Sequence, residues 1–524
     1  MVTLRPQRCA GLSLGEIAQA SPGITVDPGT RPSVATLRVS GVSLDSRGVS
    51  AGDLYAALPG ANAHGAAFAP AAAESGAVAV LTDPAGAAIL RSFGVDPLLP
   101  VLLADEPRAV LGAVSAAVYG YPAAALTMVG ITGTNGKTTT SHLLDGVLRA
   151  LGETTGLIGT IETRVAGQRL DSVRTTPESP DLHSLFAVMR ERGVGTCVME
   201  VSSHALAQHR VDGVVFDVAA FTNLSQDHLD FHGTMQGYFA TKAALFTPAR
   251  ARCGVVVVDD EWGRRLVDEA GIPLHTVSDH RAGNPPADWQ VTRVATPGGA
   301  RRIRVEGPNG LLELDSPLGG RHNRMNTALA AVLLHTMGRT PADITRGFAA
   351  LADQMIIPGR LQRVVLTGGP AAYVDYAHTP DAITATLQAL RPVTQGTLVA
   401  VIGAGGGRDP GKREAMGAAA ANAADRVFVT DDNPRFEDPA AIRSAVLAGA
   451  RSVAADRVEE IQGRAEAIAA ALRLAKNAPG GTVAVLGRGH EQGQDVAGAI
   501  HPFDDAEALR AAWRELSGHP AGAS

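Results

Sequence analysis

Gly133-Thr134-Asn135-Gly136-Lys137-Thr138 is the stretch of this 524-residue chain richest in chemistry. An apolar run ending at Ile131 precedes it and reads as a buried strand. His142 to Leu151 follow as a helix, with Leu143, Leu144, Val147, Leu148 and Leu151 on one stripe. Strand, glycine turn and helix together make a phosphate-binding loop, because backbone N–H groups at a helix N-terminus face an anion. Lys137 can set a point charge on the β- and γ-phosphates, and the Thr138 hydroxyl can ligate Mg²⁺. The spacing departs from the strict loop pattern, which wants a glycine where Ile131 stands. The glycines fall instead at Gly130, Gly133 and Gly136. A plain glycine-rich turn is the alternative, and GKT directly after a buried strand argues against it.

A metal-ligand set follows further on. Glu200, with Ser202, Ser203 and His204, ends one apolar run, and Asn223 through His228 end another. Thr138, Glu200 and His228 offer oxygen, oxygen and nitrogen donors, which suits Mg²⁺ or Mn²⁺ held partly by other ligands. His228 alone could equally be a satisfied polar histidine. Lysine is scarce: Lys137, Lys242, Lys412 and Lys476 are the only four among 46 basic residues. Lys242 lies in a helix with a strongly apolar face, where desolvation favours the neutral amine. A neutral amine can add CO₂ to become a carbamate, a long-armed carboxylate able to hold a cation. The alternative is a packed stem with its head in solvent. Lys476 reads as plain surface, and Lys412 carries no assigned role.

Near the C-terminus, Arg408 and Arg435 are candidates for bidentate carboxylate recognition. Asp432 and Glu491 could grasp an ammonium. Two arginines and two acids suit a zwitterionic amino acid carrying a second carboxylate, while surface ion pairs are the ordinary alternative. Leu44-Asp45-Ser46-Arg47 is either an ordinary turn or part of a site.

Three α/β units must position these residues. Residues 1–122 form a small unit that ends in a helix before Pro122. Residues 123–355 alternate near-continuous apolar strands (Thr196–Val201, Val214–Thr222, Gly254–Val258) with helices, which implies a mostly parallel, doubly wound sheet. Residues from Asp288 to Leu318 read as a β-rich excursion. Residues 356–524 form a second, Rossmann-like doubly wound sheet with strands at Ala372–Tyr376, Thr397–Ile402, Arg426–Thr430 and Thr482–Leu486. Ligands in such sheets sit outside the carboxyl ends of the strands. Formal charge is −6, so no basic field argues for nucleic acid. Cys9, Cys197 and Cys253 are too few and scattered for a disulfide framework and fit a reducing compartment. No apolar run reaches a membrane span, and the N-terminus lacks a signal-like apolar region. The expectation is a cytoplasmic enzyme with no membrane partner.

GITGTNGKTTT, TTPESPDL, MEVSSHALAQHRV, FTNLSQDHLDFHGTMQGYFATKAALF, GRHNRMN, VDYAHTPD, GAGGGRDPGKR, DDNPR and GRGHE together resemble the Mur ligases. The motifs run in family order from about Leu44 to Asp504. The resemblance implies an N-terminal domain for the UDP end of the substrate, a central ATPase and a C-terminal domain for the incoming amino acid. It implies ATP and Mg²⁺ as cofactors, with UDP-N-acetylmuramoyl-L-alanyl-D-glutamate and meso-diaminopimelate as substrates. The implied reaction runs through an acyl phosphate in peptidoglycan precursor synthesis. A monomer is the expectation, though no motif specifies the oligomeric state.

By resemblance, Gly133, Thr134, Asn135, Gly136, Lys137, Thr138 and Thr139 hold the ATP phosphates, and Asn326 and Asp375 touch ADP. Thr138, Glu200 and His228 surround the metal, and Lys242 matches a carbamylated lysine. Thr175, Thr176, Ser202, Gln208 and Arg210 match substrate contacts, with Leu44, Ser46 and Asn62 at the uridine end. Arg408, Asp432, Asn433, Pro434, Arg435, Gly487 and Glu491 match the diaminopimelate pocket. Gly493 departs from relatives that carry an aromatic residue there. A lysine-adding or folylpolyglutamate-type ligase is the alternative activity. A catalytically silent nucleotide-binding protein is the alternative of another class.

Overall fold

The computed structural model describes residues 4–27, 37–93, 99–170, 174–281, 284, 286–294, 301–308, 310–351, 355–407 and 409–518. Three main sheets follow one another along the chain. The first has five strands in spatial order Thr25–Val26, Val101–Leu103, Ala79–Thr82, Asp53–Ala56 and Gly41–Ser43, parallel except at the Thr25–Val26 edge. The helix Pro107–Val118 packs against Ser179–Glu191 of the next unit and so docks this sheet on its neighbour.

The central sheet has eleven strands. Thr127–Thr132 lies in its middle, flanked in parallel by Thr196–Glu200 and Phe216–Phe221. This adjacency follows from side-chain type: all three are apolar runs buried on both faces, as parallel strands under helices must be. Met128 and Met199 feed one core while Val129, Ile131 and Val198 feed the other, beneath Leu143, Leu144, Val147 and Leu148. Gly130 has no side chain because the Phe216 ring lies over it, 2.8 Å from where a Cβ would stand.

The expected β-rich excursion is part of this same sheet. Trp289–Arg293 pairs in parallel with Leu274–Asp279, and Arg302–Gly307 and Gly310–Asp315 extend the edge antiparallel. Their alternating burial lets Ile303, Val305, Leu312 and Leu314 cover the sheet's second core.

The third sheet runs Gln362–Val364, Ala371–Asp375, Thr482–Leu486, Leu398–Ile402, Arg426–Val429 and Val458–Glu460, parallel except at the first strand. No helix among the described residues is long and apolar enough to cross a membrane.

Candidate active site

The phosphate loop leaves the strand Thr127–Thr132 and enters the helix Lys137–Ala150, one turn earlier than the apolar stripe suggested. The polar residues Lys137 to Ser141 form its first turn, so the stripe marks only the part that packs on the sheet. Gly133 and Gly136 have φ of +139° and +91°, a region closed to most side chains. A Cβ would stand 1.9 Å from Thr222 Oγ1 at Gly133 and 2.5 Å from Asn326 Oδ1 at Gly136. The loop is therefore cast against its neighbours.

Thr222 Oγ1 and Asn223 Nδ2 donate to the Asn135 carbonyl at 2.6 and 3.0 Å, and Asn135 N–H donates to Asn223 Oδ1 at 3.0 Å. Asn326 thus braces the loop from beneath, and the Thr-Asn pair after Phe221 braces it from the side. Thr139 is buried with the helix's first turn. Asp375 has both oxygens engaged within its own unit: Leu361 N–H reaches one at 2.6 Å, Ala377 N–H and Thr386 Oγ1 the other at 2.9 and 3.2 Å.

Polar side chains then converge on the loop. Thr138 Oγ1 donates to Glu200 Oε2 at 2.9 Å, and Glu200, fully buried, also accepts from Thr160 N–H at 2.8 Å and Thr160 Oγ1 at 3.0 Å. Lys137 Nζ folds back on the carbonyls of Gly133 and Thr134, 2.9 Å from each. Lys242, on the helix Met235–Ala243, is buried. Its Nζ donates to the Gly133 carbonyl at 2.9 Å and stands 4.7 Å from the centroid of the Tyr238 ring. Burial, then the neighbouring Lys137, holds Lys242 well below the ordinary lysine range.

His228 has φ +56° and meets His204 edge-on at 4.8 Å. Burial pushes it down to about 3, so its imidazole is neutral and able to ligate. Thr138 and Glu200 are in direct contact, whereas the contacts of His228 are with Asp227, His204 and Tyr238. Among the described residues no three His, Cys, Asp or Glu side chains gather as a metal cage.

A second group lies between the first and central sheets. Thr176 Oγ1 donates to the Glu200 carbonyl at 2.8 Å and accepts from Ser202 N–H at 3.1 Å. Thr175 and Thr160 hydroxyls meet at 3.0 Å. Arg210 reaches the Thr176 carbonyl at 3.3 Å, contacts Gln208 and pairs with Glu178 at 3.0 Å. Glu178 also takes Arg108 and Arg174, so three arginines surround one carboxylate. Leu44 and Ser46 are half-buried on the first unit, and Asn62 is exposed.

The third group belongs to the last sheet. Asn433 Nδ2 donates to Glu491 Oε2 at 2.6 Å, and Arg488 Nη1 donates to Asn433 Oδ1 at 3.3 Å. Asp432, Asn433 and Pro434 are buried. Gly487 is needed because a Cβ there would stand 2.5 Å from Asp432 Oδ2. Burial, then Asp432, raises the Glu491 carboxyl. Arg435 has φ +51°, and its guanidinium donates to the Gly406 carbonyl. Arg408 lies outside the described residues. At Gly493, the carbonyl accepts from Arg488 at 2.8 Å, and Ile500 stands 2.5 Å from where a Cβ would be. A larger side chain there would require the exposed Ile500 to shift.

Sequence reasoning missed the residues that join the units. Arg360 Nη2 donates to Thr138 Oγ1 at 3.1 Å, with its guanidinium 4.8 Å from the centroid of the Tyr376 ring. Asp227 pairs with Lys412 at 2.8 Å and with His378 at 3.5 Å. Lysine scarcity singles out Lys412, and Asp227 lies in the 223–228 strand end, but nothing in the sequence links the two.

Residues 131–334 match the Mur ligase middle domain, residues 359–489 the Mur ligase glutamate ligase domain, and residues 38–108 the Mur ligase family catalytic domain. A UDP-N-acetylmuramoyl-L-alanyl-D-glutamate–2,6-diaminopimelate ligase of Streptomyces coelicolor is 50% identical over 98% of this chain and 99% of its own length. A protein of the same name from Streptomyces avermitilis is 51% identical over 92% of this chain and 93% of its own. Among solved structures, one of a ligase of that name aligns with a TM-score of 0.65 at 28% identity, covering 97% of this chain and 100% of that one. A likeness that runs through all three units in order makes this chain a member of the Mur ligase family.

Proposed function

We propose that this chain is the ATP-dependent ligase that adds meso-diaminopimelate to UDP-N-acetylmuramoyl-L-alanyl-D-glutamate in peptidoglycan precursor synthesis. The observation that carries the reading is the contact of Arg360 with Thr138 at 3.1 Å. It ties the unit bearing Asp432, Arg435 and Glu491 to the phosphate loop itself. The near full-length identity to ligases of that name supports it. The division into domains falls near residues 122 and 355, with the nucleotide-sugar bound by the first, ATP by the second and the amino acid by the third.

In this reading ATP phosphorylates the γ-carboxylate of the D-glutamyl residue, the diaminopimelate amine attacks the acyl phosphate, and amide, ADP and phosphate result. Lys137 leaves the Gly133 and Thr134 carbonyls for the β- and γ-phosphates, which are stronger acceptors for an ammonium. Thr175, Thr176, Ser202, Gln208 and Arg210 position the dipeptide end, and Leu44, Ser46 and Asn62 the uridine end. Asn326 keeps the loop in shape, and Asp375 holds the backbone flanking Arg360.

Lys242 completes the site as a carbamate. Its neutral amine bonds the carbon of CO₂, one N–H proton leaves to water, and a carboxylate replaces the amine. The donor set, mostly oxygen, then suits Mg²⁺, which fills the rest of its sphere from phosphate and water. Thr138, Glu200, His228 and the Lys242 carbamate would hold it, and it would supply charge neutralisation at the transferring phosphoryl group.

Asp432 and Glu491 take the amino acid's ammonium groups, and Arg408 and Arg435 its carboxylates, within the Asn433, Pro434 and Gly487 frame. The proposed site of the reaction is the cytoplasm. Mixing the chain with ATP, the UDP-dipeptide and meso-diaminopimelate tests the reading: ADP release that needs all three is expected, and release indifferent to the amino acid overturns it.

A further inference from the structure

Lys412 is one of four lysines, and the reading above gives it no task. Its surroundings are specific. Asp409 accepts from Gly411 N–H at 2.9 Å and shapes the turn Pro410–Lys412 that opens the helix Arg413–Ala423. From that turn Lys412 Nζ crosses to the central unit and meets Asp227 Oδ1 at 2.8 Å, with the two side chains 9% and 6% exposed. Gln226 Nε2 reaches Asp409 Oδ2 at 3.4 Å beside it, so two successive residues of the central unit engage the same turn. The other Asp227 oxygen lies 3.5 Å from His378 Nε2, also of the last unit, and 3.5 Å from His228 Nε2. A buried pair across two units ties their relative position to its own geometry, because removing one member leaves an uncompensated charge at the interface.

We propose that Lys412 is a positioning residue, which locks the amino-acid-binding unit on the ATP-binding unit by docking its ammonium on Asp227. The proposal rests on the ligase reading and extends it to the assembled state in which the amine attacks the acyl phosphate. Lys412 touches neither substrate in this role. Its removal therefore lowers turnover and leaves the binding of ATP by the central unit alone.

The test uses the full chain as wild type, Lys412→Met and Lys412→Arg, with steady-state kinetics and small-angle X-ray scattering. Scattering is recorded with a non-hydrolysable ATP analogue and the UDP-dipeptide. Lys412→Met should lose about a hundredfold in kcat, the scale set by breaking a buried pair from one side. Its KM for ATP should stay within about threefold. Its radius of gyration with ligands should stay larger than that of the wild type. Lys412→Arg, which keeps the charge, should recover at least about tenfold of the lost kcat.

Wild-type kcat in Lys412→Met overturns the proposal. So does a rise in KM for diaminopimelate alone with unchanged scattering, which would make Lys412 a substrate-binding residue. A Lys412→Met chain that cannot fold also overturns it, since the role is placed at the interface. Failure of the parent reading looks different: the wild type itself would release no ADP in a diaminopimelate-dependent way, while its scattering would still respond to Lys412→Met.

Discussion

Lys137 and Lys242 share one acceptor, each placing its Nζ 2.9 Å from the carbonyl oxygen of Gly133. Two ammonium groups on one buried carbonyl repel, and Lys137 is the second-largest cause, after burial, of the depression of Lys242. Burial lowers Lys137 as well but Lys242 further, so Lys242 is the amine suited to carbamate formation. Lys242→Arg keeps the cation but cannot take up CO₂. It should lose at least about a hundredfold in kcat, the scale of removing one preorganised electrostatic group. Carbon-13 NMR of wild type in labelled bicarbonate should show a carbamate signal absent from the variant. Full activity in Lys242→Arg would remove the carbamate from the account.

Thr138→Ala and Lys137→Ala should each abolish ADP release with the fold intact. Both side chains act through charge and hydrogen bonds at a loop whose shape is set by Gly133, Gly136, Thr222 and Asn223. Calorimetry of the two variants should give melting temperatures within a few degrees of wild type, since neither empties a packed core. Collapse of the transition would make the residues structural.

How much of this was legible beforehand depended on the range of the interaction. The loop, Glu200, Lys242 and the 432–435 segment announce themselves by residue type and local spacing, and the strands around them are apolar runs that can only be buried. The Asp227–Lys412 pair joins residues 185 apart in different units, and nothing local to either marks the other. The same holds for Arg360 on Thr138, 222 residues away. Asp375 shows the converse: it sits at a strand end, where ligands are expected, and spends both oxygens on its own unit. The β-rich edge was legible as strands, but its membership in the central sheet depends on pairing, which a single strand does not reveal.

Stability should fall with acid through buried histidines. Burial pushes His183 and His322 each down to about 4. His183 Nε2 is 3.0 Å from the Asp212 carbonyl, and its buried Nδ1 has no partner, so a second ring proton would be unsatisfied. With the folded pKa below the unfolded value of about 6.5, the unfolded chain binds more protons in between. The contribution is complete above about pH 6.5 and is lost as pH falls toward 4, at about 1.4 kcal/mol per pH unit for each group. Urea unfolding between pH 7 and 4.5 should show this slope, and His183→Gln should flatten it. An unchanged slope in that variant would show that His183 does not titrate on unfolding.

The most direct test of the ligase reading is the ratio of kcat/KM for meso-diaminopimelate and L-lysine on the UDP-dipeptide. In the role proposed for it, the Arg435 fork pairs with a carboxylate that diaminopimelate carries on its far carbon and lysine lacks. Arg435 is half-buried, and leaving its fork without that carboxylate forfeits a charge-assisted pair, so lysine should be poorer by roughly a hundredfold or more. Arg435→Ala should raise KM for diaminopimelate far more than for ATP and narrow the ratio. Equal values in the wild type, or a preference for lysine, would contradict both the role of Arg435 and the substrate assigned to this chain.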